Sequence, residues 1–151
     1  MRTLGNIIWH IPFFGFLTAL FTFFAGVLFL LSIIGAPIGL GLIQFSRFLL
    51  TPYSSAMVSK SDLGVDQNKL WLAFSFIVRI LYFPFGLILA ITTIFQIAFL
   101  FITIVGIPVA IVLAKSLGTY FNPVNKVCVS TAVQEEIEQR KAREQADRYW
   151  E

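Results

Sequence analysis

Carboxylate is scarce where a membrane machine would need it. The eight acidic residues, Asp62, Asp66, Glu135, Glu136, Glu138, Glu144, Asp147 and Glu151, lie in a central polar stretch or near the C-terminal end. The long apolar segments hold none. Proton relays and proton-coupled transporters usually carry such a group within the bilayer, so the sequence argues against that chemistry. Cysteine and histidine are nearly missing too: Cys128 and His10 stand alone. One thiol closes no intramolecular disulfide, and one histidine with one thiol makes no metal cluster. No Gly-rich phosphate loop and no nucleophile–base pair is present. No catalytic residue, metal ligand or cofactor is expected, and the chain reads as a non-enzyme. Charge is low at 13%, about half of the usual ~25% for a soluble domain. The net charge of +3 gives no footing for nucleic acid.

Apolar residues fill the gap. Hydrophobic residues make up 58% of the chain, including 17 Phe, and Trp9, Trp71 and Trp150 suit membrane-interface anchors. The class is therefore an all-α integral membrane protein. Ile11–Ile34 and Tyr82–Val105 are uncharged runs of 24 residues each, long enough to span ~30 Å of hydrocarbon. Pro12 falls where a helix start tolerates proline. The N-terminal run is longer than a signal-peptide core and has no convincing cleavage site, so it is read as retained.

Each run stops at Gly-x-Pro and restarts as a shorter apolar run. The turns are Gly35-Ala36-Pro37 and Gly106-Ile107-Pro108. Gly can close a helix in the left-handed conformation, and Pro suits the first turn of the next helix. Residues before and after repeat this pattern at an offset of 71: Phe14-Gly15 on Phe85-Gly86, Gly35 on Gly106, Pro52 on Pro123 and Met57 on Cys128. The sequence thus predicts two parallel tandem repeats, about 4–63 and 70–133. Each has a long transmembrane helix, a Gly-x-Pro turn and a short returning helix. After each repeat, around Ser54–Lys60 and Lys126–Thr131, brief alternation fits a short cytoplasmic strand or a plain loop equally. The membrane domain covers 1–133. Residues 134–151 form a soluble helical tail, with a capping box from Thr131 to Gln134 and no packing partner expected.

Lys and Arg set the orientation. None lies near either Gly-x-Pro turn, so a pair of hairpins puts nearly all of them at one face, and that face is cytoplasmic. Both termini are then cytoplasmic in a multi-pass protein. The short helices, Pro37–Leu50 and Pro108–Phe121, fall short of a full span. Either the bilayer thins or the hairpins are re-entrant. A third arrangement lays the short helices in the interface. Each half then crosses once, with the central loop and tail on opposite sides.

Polar residues mark one stripe on each short helix. Gln44, Arg47 and Thr51 are spaced i, i+3, i+7, and Lys115, Thr119 and Asn122 are spaced i, i+4, i+7. Three roles fit the cations: snorkelling to anionic lipid headgroups, lining a polar path in a homo-oligomer, or pairing with backbone carbonyls.

These residues resemble the YccF family of bacterial inner-membrane proteins, the inner membrane component domain. Asn6-Ile7-Ile8-Trp9 matches its Asn-x-x-Trp opening, the two Gly-x-Pro turns match its turns, Lys115 its short-helix lysine, and Pro52 and Pro123 its exits. Departures are Ala110 for a turn Gly, Gln44 at the repeat partner of Lys115, and Asn125 for the exit Gly. The resemblance covers about residues 4–130 and implies a bacterial inner-membrane location without an activity. Two functions remain: a small oligomeric channel or permease, or a non-transporting lipid-binding scaffold that docks a cytoplasmic protein.

Overall fold

The computed structural model describes residues 2–11 and 13–150; the helix-start position read for Pro12 lies outside the described residues. The chain runs α1 (Arg2–His10), α2 (Gly15–Leu31), α3 (Ala36–Leu50), β1 (Ser55–Ser59), α4 (Lys69–Ile102), α5 (Ile107–Phe121), β2 (Lys126–Ser130) and α6 (Thr131–Trp150). Short 3-10 turns follow β1 (Lys60–Leu63) and precede α5 (Ile104–Gly106). Among the described residues two helices, α4 and Ile104–Phe121, are long and apolar enough to cross a membrane, or three if the bent pair α1 and α2 counts as one span.

The first long helix expected over Ile11–Ile34 is broken. Phe14 adopts a left-handed φ of 50°, and α1 meets α2 at 77°. Side chains of α1 account for the break. The Trp9 ring occupies the space beside Gly15 that a Cβ would need, so the chain must turn there for Trp9 to pack. Seventy-one residues on, Phe85 lies inside the continuous helix α4. That helix is 34 residues long, ~51 Å at 1.5 Å per residue. It begins well before the Tyr82 expected from the apolar run, because Asn68 caps it through Leu70 N at 3.0 Å.

Pro37 and Pro108 sit in the first turns of α3 and α5, as expected. The glycines before them behave differently from expectation. Gly35 has φ −81° and Gly106 φ −78°, both right-handed. Ser32 and Thr103 end the preceding helices by turning extended. The glycines are needed for space. A Cβ on Gly35 would lie 2.8 Å from Phe29 Cδ1 and 2.9 Å from Phe29 O, and one on Gly106 would lie 2.6 Å from Leu100 O. Gly35→Ala should therefore already destabilise by roughly 1–3 kcal/mol through overpacking. Gly35→Asn, which a left-handed site would favour, should be no better than Ala. Thermal unfolding in detergent checks this; a well-tolerated Asn would restore the left-handed account.

α2 packs along α3, and α4 along α5. The first pair meets at Gly26 and Gly39, where a Cβ on Gly39 would lie 2.6 Å from Gly26 O. Close backbone approach through small residues is how membrane helices gain packing energy. The buried core gathers Trp9, Ala19, Phe45, Phe48, Leu49 and Val112 from four helices. Phe45 bridges to α5 by an edge-on contact with Tyr120, centroids 5.2 Å apart.

The alternating segments are strands. β1 and β2 pair antiparallel, with Ser55 opposite Ser130, Met57 opposite Cys128 and Ser59 opposite Lys126. Asn125 precedes β2 at φ 59°. The resemblance implies Gly at this position, and Asn is among the side chains that best tolerate that region.

The tail has a packing partner. α6 lies on the sheet, burying Ile137, with Lys141 Nζ 2.8 Å from Asp62 Oδ1 and Arg140 donating to Asp62 O. The capping box does not form: Thr131 Oγ1 has no partner, and Gln134 Nε2 donates to Glu138 at 2.8 Å. Sequence spacing missed the packing because only Ile137 is buried along α6.

Candidate functional site

Polar side chains of α1 converge on the C-terminal end of α3. A helix leaves its last carbonyls without intrahelical donors. At the end of α3, Trp9 Nε1 donates to Leu49 O at 2.8 Å, and His10 Nε2 lies 2.7 Å from Leu50 O. Asn6 works one turn earlier on the same face of α1. Its Oδ1 accepts from Tyr53 N at 3.0 Å and its Nδ2 donates to Ser54 Oγ at 3.0 Å. The Asn-x-x-Trp opening thus clamps α1 to the α3–β1 junction. In the second half, Tyr82 O–H donates to Tyr120 O at 3.1 Å, and Tyr120 stands 71 residues after Leu49.

Six polar residues stood out in the sequence, and the structure disperses them. Lys115 Nζ donates to Pro52 O at 2.6 Å and Ser55 O at 3.0 Å, and lies 5.8 Å from the Phe48 ring centroid. Gln44 Oε1 accepts from Cys128 N at 3.3 Å. Each reaches from a short helix to the strand of the other half. Thr51 Oγ1 bonds Ser55 Oγ at 2.8 Å. Thr119 is buried. Asn122 Oδ1 accepts from Val124 N at 3.2 Å and shapes the turn into β2. Arg47 is exposed, beside Phe16, Leu20 and Phe23 of α2. Of the three roles open to the cations, Lys115 therefore takes the pairing with backbone carbonyls. Its partners lie on another element, beyond the reach of helical spacing.

Sequence reading passed over Tyr53. Its O–H donates to Pro108 O at 2.7 Å, so the start of α5 lies within one side chain of the segment leading into β1. Burial raises the Tyr53 pKa, in keeping with a phenol that acts as a donor. Burial likewise raises the Cys128 thiol, against opposing contributions from Ser55, Arg47 and Lys115. Lys126 is shifted the other way: burial lowers its pKa, Arg79 and Lys141 add to this, and Asp62 opposes it. The Lys126 end of the sheet is thus a cationic cluster in which Asp62 is already paired with Lys141.

A groove of about 710 Å³ opens between the α2–α3 turn, α4 and α5. Phe29, Ile38, Leu42, Phe85 and Leu89 are among its apolar lining, with Ser32, Tyr82, Thr119 and Tyr120 as the polar exceptions. Among the described residues no group of three or more His, Cys, Asp or Glu side chains could hold a metal ion.

The YccF inner membrane component domain matches residues 4–55. These residues run from the α1 clamp through both helices of the first hairpin to the start of β1. No curated protein and no solved structure shows a significant match to the chain. With its apolar helices, the matched domain makes this a membrane protein.

Proposed function

We propose that this YccF-domain protein is a non-transporting scaffold of the bacterial inner membrane. In this reading it binds lipid and carries a cytoplasmic platform built from the sheet and α6. The observation that carries it is the engagement of Lys115 and Gln44. A polar path needs such groups turned toward a lumen; here Lys115 holds Pro52 O and Ser55 O, and Gln44 holds Cys128 N. Thr119 is buried as well. Two members of the stripe that favoured an oligomeric channel, Lys115 and Gln44, are used in joining the two halves, and this reading requires no homo-oligomer.

The pairing of β1 with β2 supports a topology in which each half returns to the side it left. α1 is bonded to Tyr53 and Ser54, so Arg2–His10 belongs on that side too. A single crossing per half would separate these partners. Tyr53 on Pro108, and Pro37 beside the cavity lined by Lys60 and Lys126, favour re-entrant hairpins over full crossings. The basic residues of this layer make it cytoplasmic, with both termini there. A duplication is supported by the register, which sets Met57 opposite Cys128, its partner at an offset of 71.

Purified protein in liposomes should pass neither chloride nor potassium above empty vesicles; reproducible protein-dependent flux would overturn the scaffold. In a Cys128→Ser background, a cysteine at the exposed position Ser61 should resist an impermeant thiol reagent added to intact cells. Labelling from outside would reverse the orientation.

A further inference from the structure

A small polar cavity lies between the turn after β1, the first third of α4 and the α5–β2 turn. Its volume is about 190 Å³, with Ser61, Gln67, Ser75, Arg79 and Asn122 among its lining residues. That is below the ~300 Å³ where ordinary small-molecule sites begin, and suits a single headgroup. Two of its polar atoms are orphans. Ser75 is 1% exposed, and its Oγ has no hydrogen-bond partner; neither does the buried Gln67 Oε1. A buried hydroxyl or amide without a partner costs roughly 1–3 kcal/mol, and such groups call for a missing ligand or water.

The charges point to an anion. Among the described residues Arg79 makes no ion pair. It adds to the cationic cluster that lowers the Lys126 pKa. Asn122 spends its Oδ1 on Val124 N, leaving its amide N–H₂ to donate. Gln67 Oε1 is an acceptor and asks for a donor, which a bare phosphodiester cannot supply. A phosphate carrying a hydroxylated alcohol supplies both. Leu72 and Phe76 also line the cavity and are 47% and 62% exposed on α4, an apolar surface along which acyl chains can run.

We propose that this cavity binds the glycerol phosphate headgroup of an anionic phospholipid, with Arg79 pairing the phosphate, Ser75 donating to it and Gln67 accepting from the glycerol hydroxyl. The assignment rests on the lipid-binding reading above and gives it a site. Sequence spacing does not reveal it, because Asn122 reaches Gln67 and Ser75 only through the tertiary packing of α5 on α4.

The test uses the full chain in nanodiscs of mixed phosphatidylcholine and phosphatidylglycerol, extracted in mild detergent, with retained lipid read by native mass spectrometry. Wild type should retain phosphatidylglycerol over phosphatidylcholine. Arg79→Gln and Ser75→Ala should each lower that retention about tenfold, the scale of one charge-assisted contact. Ser75→Ala removes an orphan hydroxyl, so its melting temperature should not fall. Wild-type retention in both variants, or equal retention of the two lipids, overturns the proposal. A melting shift with soluble glycerol phosphate and no retained phosphatidylglycerol assigns the cavity to the free ester and overturns the lipid assignment. Lost retention without ion flux leaves the scaffold standing, whereas flux with retention intact removes the scaffold alone.

Discussion

Lys115→Glu is expected to destabilise the protein by about 2–4 kcal/mol, and Arg47→Glu by less than about 0.5 kcal/mol. Hydrogen bonds to a charged group contribute roughly 1.5–3 kcal/mol, and a buried acceptor left without a donor costs ~1–3 kcal/mol. Lys115 makes two such bonds, to Pro52 O and Ser55 O. A carboxylate there would face two carbonyl oxygens with no proton to offer either. Lys115 is itself exposed, although its two bonds are part-buried, which keeps the loss below the sum of both bonds. Arg47 is exposed and forms no ion pair or hydrogen bond among the described residues, so its replacement removes no polar contact within the fold. Lys115→Arg should recover part of the loss, since its guanidinium still donates. Denaturation in detergent separates these cases. Equal effects at the two positions would mean that Lys115 does not hold the junction, and would return both cations to one equivalent stripe.

The contrast also shows what the sequence could and could not reveal. Gly-x-Pro is local chemistry, and the helix starts at Pro37 and Pro108 followed from it. The reason for the glycine was not local. It lies in the approach of Phe29 to Gly35 and of Leu100 to Gly106, and no rule on φ reveals a neighbour. The break at Phe14 was hidden for the same cause. A left-handed Phe has no sequence signature, and what imposes it is the Trp9 ring beside Gly15. The strands were legible as alternation but not as a pair. Two short strands are marginal by themselves, and their pairing is supported by α3, α5 and α6 from three parts of the chain. Asn125 carried a readable signal: a family glycine replaced by Asn is what a left-handed turn allows, and its φ is 59°. The partners of Gln44 and Lys115 carried none, because backbone carbonyls and amides look alike at every residue.

Trp9→Ala should be the most damaging single change in the first half, at about 3–5 kcal/mol. The sequence suggests an interfacial anchor for Trp9, with its ring in the headgroup region. It is 5% exposed and packs in the core with Ala19, Phe45, Phe48 and Leu49. Removing a buried aromatic ring costs ~3–5 kcal/mol through lost contacts and the cavity left behind. It also strips Leu49 O of its donor. Trp9→Phe separates the two terms. Phe keeps most of the apolar volume and loses the indole N–H, so its cost should fall near the ~1–3 kcal/mol of an orphaned carbonyl. An interfacial anchor would behave otherwise: Phe would substitute with little loss of fold stability, and membrane partition would change instead. Detachment of α1 gives a second readout. With the clamp gone, the bend around Phe14, already 60% exposed, should become a preferred site of limited proteolysis in Trp9→Ala and remain resistant in wild type. Unchanged proteolysis and a melting temperature within error of wild type would mean that α1 does not depend on Trp9, and the role assigned here to the Asn-x-x-Trp opening would fall with it.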